Sequence, residues 1–171
     1  MARKRASGET EGVARKDSHF VLRTVQPALL GLADGSISTL APLFAAAVAT
    51  EDSRIALLVG LSAAIGAAIS MGVSEGLSDD GSLTGRGGPV RRGVVTGLGT
   101  LVGAGLHSLP FLISHFETAL TVAVVVVAVE LLAIAWVRWR YFPGTRVASS
   151  IVQVTLAGAV VFGVGILFGG A

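Results

Sequence analysis

Apolar and polar residues fall into long blocks along this chain rather than alternating. A helix needs about 20 largely apolar residues to cross a hydrocarbon core. Five stretches meet that length: Pro27 to Thr50, Ile55 to Leu77, Arg92 to Ser114, Glu117 to Val137 and Val147 to Gly169. The links between them are short and carry turn signals: Glu51-Asp52-Ser53, then Ser78 to Val90 with four glycines and Pro89, then His115-Phe116, then Pro143-Gly144. The run Val124 to Val127 has strand-forming residues, but its neighbours stay apolar to Trp136, too long for a strand, and barrel-type alternation is absent. The pattern predicts an all-α fold: an integral membrane bundle of five transmembrane helices over residues 25–171, behind a polar tail over residues 1–24.

Charge gives the bundle a direction. The tail holds Arg3, Lys4, Arg5, Arg15, Lys16 and Arg23, and reads as a solvated, disordered cytoplasmic terminus that can also touch anionic lipid heads. The stretch behind its basic start, ASGETEGVARKDSH, lacks the apolar core of a cleavable signal. Arg86, Arg91 and Arg92 follow the second stretch, and Arg138, Arg140 and Arg146 flank the last link. Of 13 Lys and Arg residues only Arg54 falls on the other side, so the N-terminus is read as cytoplasmic and the C-terminus as outside. Trp136, Trp139 and Tyr141 make an aromatic anchor at the inner end of the fourth stretch. The glycine pairs 72/76, 93/97, 99/103 and 165/169 have the GxxxG spacing of close helix packing, weighted here toward contacts within the chain. With no cysteine, thiolate sites and disulfides are excluded, and a metal must bind through Asp, Glu, His, Met or carbonyl groups.

Ionisable groups inside apolar spans are costly and mark function. Asp34 lies seven residues into the first span, about 10 Å deep at 1.5 Å per residue. Glu130, seven residues from the inner end of the fourth, comes to the same level, as does Met71 in the second. Glu75 follows Met71 by one turn on the same face. Asp34, Met71 and Glu130 are expected as one layer in the cytoplasmic half, with Glu75 above it as the way in. A carboxylate beside a thioether suits a borderline divalent metal, and the same carboxylates can carry protons. Each has a plainer reading: Asp34 capping or kinking a broken helix, Met71 packing, Glu75 reaching Arg91 or Arg92, and Glu130 protonated against a hydroxyl. His107 reads as a buried polar contact, and Asp79 and Asp80 as solvated loop charges. Pro27, Pro42 and Pro110 predict interrupted helices. Phosphate-binding loops, HExxH and a nucleophile with a nearby base are absent, so no enzyme is read here and no cofactor is called for.

Two segments carry a resemblance. GLADGSISTLAPLFAAAVA resembles the Gly-Leu-x-Asp-Gly signature of the vacuolar iron transporter family, and AAISMGVSEGLSDDGSLTGRGGP resembles the segment that closes its second span. SDDGSLTGRG followed by HSLPFLI looks closest to the membrane domain of bacterial membrane-bound ferritins, which export iron. The resemblance covers the chain from about Val21 onward. It implies a five-helix homodimer moving Fe(II), and often Mn(II), out of the cytosol by proton exchange, in a bacterial inner membrane. Asp34 matches the family's intramembrane Asp, Met71 its second-span Met and Glu75 the motif Glu, whereas Glu130 has no counterpart. The sequence departs from the family in lacking both a Glu-rich cytoplasmic domain between spans two and three and a ferritin-like domain ahead of the spans, which points to a separate metal-delivery partner. Two other classes stand beside this one: a proton-coupled exporter of organic cations working through Glu130, and a non-transporting membrane scaffold subunit.

Overall fold

A computed structural model of the chain describes residues 18–78, 80–82, 84–142 and 146–171. Asp79, the Pro143-Gly144 link and most of the polar tail lie outside these residues. The described residues are helical with no strand. The first helical stretch runs Ser18–Thr50, so residues read as the end of the tail already belong to it. It comprises a π-helical turn at Val21–Val25, α1 (Gln26–Ser38) and α2 (Leu40–Thr50). Then come α3 (Ser53–Ser78), α4 (Pro89–Leu106), a 3₁₀ turn (Leu109–Leu112), α5 (Phe116–Tyr141) and α6 (Val147–Gly169).

Three prolines place the irregularities. Proline offers no N–H to the carbonyl four residues back, and its ring crowds that carbonyl. For Pro27 this carbonyl belongs to Arg23, inside the π turn, where the Gln26 N–H reaches back to the Val21 carbonyl. For Pro42 it belongs to Ser38, the last residue of α1. For Pro110 it belongs to Leu106, the last residue of α4. The expected third span, Arg92 to Ser114, is therefore not one helix: α4 stops at Leu106 and a 3₁₀ turn follows. The link between α2 and α3 is well formed. Glu51 takes a left-handed conformation (φ 49°) at the sharp reversal between α2 and α3. Asp52 Oδ1 then caps α3, accepting from the N–H groups of Arg54 (2.7 Å) and Ile55 (3.1 Å).

Four helical stretches are long and apolar enough to cross a membrane: Ser18–Thr50, Ser53–Ser78, Phe116–Tyr141 and Ala148–Gly169. α4 falls short of that standard, with Arg91, Arg92 and five glycines in its 18 residues. It packs between α1 and α3, with Val90, Val94, Leu98 and Val102 exposed on its outer face. All four glycine pairs work within the chain. A Cβ on Gly93 would stand 2.5 Å from the Gly72 carbonyl oxygen of α3, and one on Gly99 would stand 2.6 Å from the Ala28 oxygen of α1. Gly165 and Gly169 of α6 meet the Ala41 and Ala45 carbonyls of α2 in the same way. The central core joins Leu40 and Phe44 of α2, Val127, Leu131 and Ile134 of α5 and Phe111 of the 3₁₀ turn, whose ring meets that of Phe44 edge to face. The outer faces are apolar: Leu58, Ile65, Ile69 and Leu77 of α3 and Leu167 and Phe168 of α6 are exposed. A continuous apolar surface of this kind suits lipid rather than water.

The two ends differ in charge. At one end Arg23 Nε donates to the Gly85 carbonyl (3.2 Å) and Arg91 to the Thr24 hydroxyl (3.1 Å). Tyr141 lines a groove there with Thr24 and Val25, so Arg138 and Arg140 in the last turn of α5 belong to the same end. Glu51, Asp52 and Arg54 gather near Phe116 at the opposite end.

Candidate functional site

The four residues expected to form a layer and its mouth do not come together as one group. Glu75 lies at the basic end, 7% exposed. Its Oε1 accepts from Arg86 Nη2 at 2.6 Å and from Arg92 Nε at 2.9 Å. Arg92 has no exposed surface and also donates to the Glu75 carbonyl (3.1 Å), the Ser78 hydroxyl (3.1 Å) and the Gly87 carbonyl (3.0 Å). The plainer reading of Glu75 is therefore the one found: this carboxylate is shared by two guanidinium groups and ties the α3–α4 link together. As a metal acceptor it is a poor candidate, because an arriving cation would meet two fixed positive charges first. Asp80 stands in the same link, exposed; the Ser82 N–H donates to its Oδ1 (2.8 Å) and holds its carboxyl below the usual carboxylate range.

Asp34 sits mid-way along Ser18–Thr50. It neither caps nor kinks a helix: α1 runs through it, and the break comes at Thr39. Its strip of α1 also holds Leu30 and Ser38, one turn away on either side and both exposed, and Asp34 is half-buried. Among the described residues it has no hydrogen-bond or ion-pair partner. Met71 lies half-buried on α3, a helix that touches α1. Beside Met71, α3 presents an exposed stripe of small residues at four-residue spacing: Ser62, Gly66, Ser70 and Ser74.

Glu130 does not share the Asp34 level. Its Oε2 lies 3.0 Å from His107 Nδ1, and His107 Nε2 lies 2.9 Å from Thr39 Oγ1. Thr39 is five residues beyond Asp34, about 7 Å further along the helix axis. The expected depth came from ending the fourth span at Val137, but α5 continues to Tyr141, which puts Glu130 eleven residues from its inner end. Charged and aromatic residues end the hydrocarbon span without ending the helix, whose backbone bonds continue among the headgroups. His107 is the buried polar contact the sequence suggested.

Among the described residues no three His, Asp or Glu side chains come together to hold a metal. Sequence reasoning left Arg92 undistinguished from Arg91 and passed over Thr39. Arg92, Thr96 and Thr100 recur every four residues, and all three are buried; that stripe separates Arg92, facing inward, from exposed Arg91. Thr39 carries no such signal, apart from standing three residues ahead of Pro42. No protein-family model matches the chain, and neither does a curated protein or a solved structure.

Proposed function

We propose that the protein is a membrane transporter that carries a divalent transition metal, Fe(II) or Mn(II), out of the cytosol in exchange for protons. Asp34 carries this reading. A carboxylate without a described partner, in the middle of a helix long enough to cross a membrane, is costly unless it binds something. The GLADGS and SMGVSEG segments, with their resemblance to vacuolar iron transporters, identify that something as a metal. In this reading five segments cross the bilayer, α4 among them with α1 and α3 on either side, and the basic end is cytoplasmic.

A single chain offers the cation one carboxylate and one thioether, too few donors for a transition metal. Both lie on faces that the rest of the chain leaves open. A second copy packed along the Ser62–Ser74 stripe supplies another Asp34 and Met71, and removes both carboxylates from lipid. The metal is cargo, so its ligands must also release it, and two carboxylates with two thioethers make a weaker set than a closed structural site. Glu75 and Glu130 take no part in binding the metal here: the first organises the cytoplasmic link and the second belongs with His107.

Metal uptake by inside-out membrane vesicles tests the reading. Vesicles with the wild-type chain are expected to take up Mn(II) or Fe(II), and Asp34→Asn to fall to the level of vesicles without the protein. Equal uptake by the two would remove Asp34 from the mechanism, and no metal-dependent flux in either would end the proposal. Export of organic cations through Glu130 has less support. The apolar groove between α5 and α6, about 320 Å³ and lined by Val127, Leu131, Gly158 and Phe162 among others, has no carboxylate in its wall.

A further inference from the structure

Away from Asp34, the ionisable groups in the middle of the helices come down to His107 and Glu130, and the structure gives that pair a third member. His107 follows the last residue of α4 and is fully buried. It lies 3.0 Å from Glu130 Oε2 through Nδ1 and 2.9 Å from Thr39 Oγ1 through Nε2. The Thr39 hydroxyl donates to the Gly35 carbonyl at 2.8 Å. The Glu130 side chain is 6% exposed, and its Oε1 is buried without a hydrogen-bond partner. Thr39 is also the residue that separates α1 from α2.

Counting hydrogens fixes what this arrangement can do. A threonine hydroxyl has one hydrogen. While it goes to Gly35, only lone pairs face the ring, so Nε2 must carry a hydrogen. Nδ1 and Oε2 then share one further proton, as imidazolium and carboxylate or as imidazole and carboxylic acid, and the three side chains are neutral together. Loss of that proton would set the Nδ1 lone pair against a carboxylate oxygen. One rearrangement restores both contacts. The remaining ring hydrogen moves to Nδ1 and donates to Glu130, while the Thr39 hydroxyl turns away from Gly35 and donates to Nε2. The group now carries one negative charge, and the Gly35 carbonyl has lost its hydroxyl partner.

We infer that Thr39, His107 and Glu130 form a buried site for one exchangeable proton, whose occupancy is passed to the α1–α2 break by the Thr39 hydroxyl. Other charged or titratable groups are remote along every element. The nearest on the first helix are Asp34, five residues before Thr39, and Glu51 beyond α2; α3 has none between Arg54 and Glu75; α4 has none after Arg92; α5 has none but Glu130 between Glu117 and Arg138; α6 and the 3₁₀ turn have none. Asp34 immediately precedes Gly35, so the hydroxyl switch acts on the backbone next to the proposed metal ligand. Its role as counter-ion site rests on the transport reading, whereas the proton site does not.

Solid-state NMR of the metal-free full-length protein in lipid bilayers, with labelled histidine and glycine, tests the inference. With rising pH, His107 Nε2 is expected to lose its hydrogen while Nδ1 is left carrying one, and the Gly35 carbonyl shift to follow with the same midpoint. Thr39→Ser should keep both responses, and Thr39→Val should lose the Gly35 response. Glu130→Gln should lock the Nε2–H form, because an amide N–H can donate to Nδ1 without any exchange of protons. An Nε2 that keeps its hydrogen across the whole pH range would overturn the proton site, and a Gly35 carbonyl indifferent to His107 in the wild type would overturn its coupling to the break. Parallel vesicle assays separate the two proposals. Loss of the Nε2 hydrogen with rising pH in a protein without metal flux supports the proton site and removes the transport reading. Metal flux with the same pH dependence in wild type and Glu130→Gln overturns the counter-ion role.

Discussion

Arg92 shows how a single buried charge can organise one end of the molecule. Its guanidinium has no exposed surface and finds four acceptors: the Glu75 carboxylate and carbonyl, the Ser78 hydroxyl and the Gly87 carbonyl. Removing one partner of a buried ion pair leaves the other desolvated and unmatched, at a cost of about 3–5 kcal/mol. Arg92→Ala is expected to lose stability on that scale in thermal unfolding of the detergent-solubilised protein, while Arg91→Ala, which gives up one exposed bond to Thr24, should change it little. If the two variants melt alike, the Arg92 network is not what holds the link. Both arginines were visible in the sequence, and pairing of Glu75 with one of them was a stated alternative. Which of the two faces inward is decided by helical phase, set by Gly93 and Thr96 packing against neighbours the sequence does not name.

At the scale of elements, the helices and their glycine contacts were largely legible, since hydropathy and four-residue spacing both follow directly from lipid and close packing. α6 has the range read from the sequence, Val147 to Gly169. The third span was misread because an apolar run says nothing about the carbonyl that Pro110 leaves without a donor. The level of Glu130 was misread because hydropathy locates the edge of the hydrocarbon and not the end of α5. The break at Thr39 has a defined cause in Pro42, and Pro42→Ala restores the missing donor to the Ser38 carbonyl. With spin labels on Leu30→Cys and Ala49→Cys, both exposed in an otherwise cysteine-free chain, that variant is expected to lengthen the label separation as the helix straightens. An unchanged distance would place the cause of the break in tertiary packing. Gly93→Val forces a side chain against the Gly72 carbonyl and is expected to destabilise by about 1–3 kcal/mol, the usual range for overpacking, again read by thermal unfolding.

For the whole molecule, the unequal charge of its two ends makes orientation measurable. In intact cells an impermeant thiol reagent should label Ser114→Cys, at the end opposite the arginines, and reach Ser82→Cys only after permeabilisation. The reverse pattern would place the basic end outside and reverse the proposed direction of transport. Oxidation of Ser70→Cys in membranes should give a cross-linked dimer if a second copy covers the exposed stripe of α3, and Val160→Cys, on an apolar exposed position of α6, should remain monomeric.

The glycine contacts have one more consequence. Where backbone lies directly on backbone, as between α4 and its neighbours α1 and α3, and again between α2 and α6, there is no side-chain layer to yield, and the paired helices behave as stiff pieces. Between these pieces runs a seam of side chains, Phe44 against Phe111 among them, which can repack. The first helix belongs to both pieces, α1 to one and α2 to the other, with Thr39 as the joint. A lever of this form keeps its arms rigid and gathers compliance at the pivot, so a change of one hydrogen bond there is multiplied along the full length of both arms.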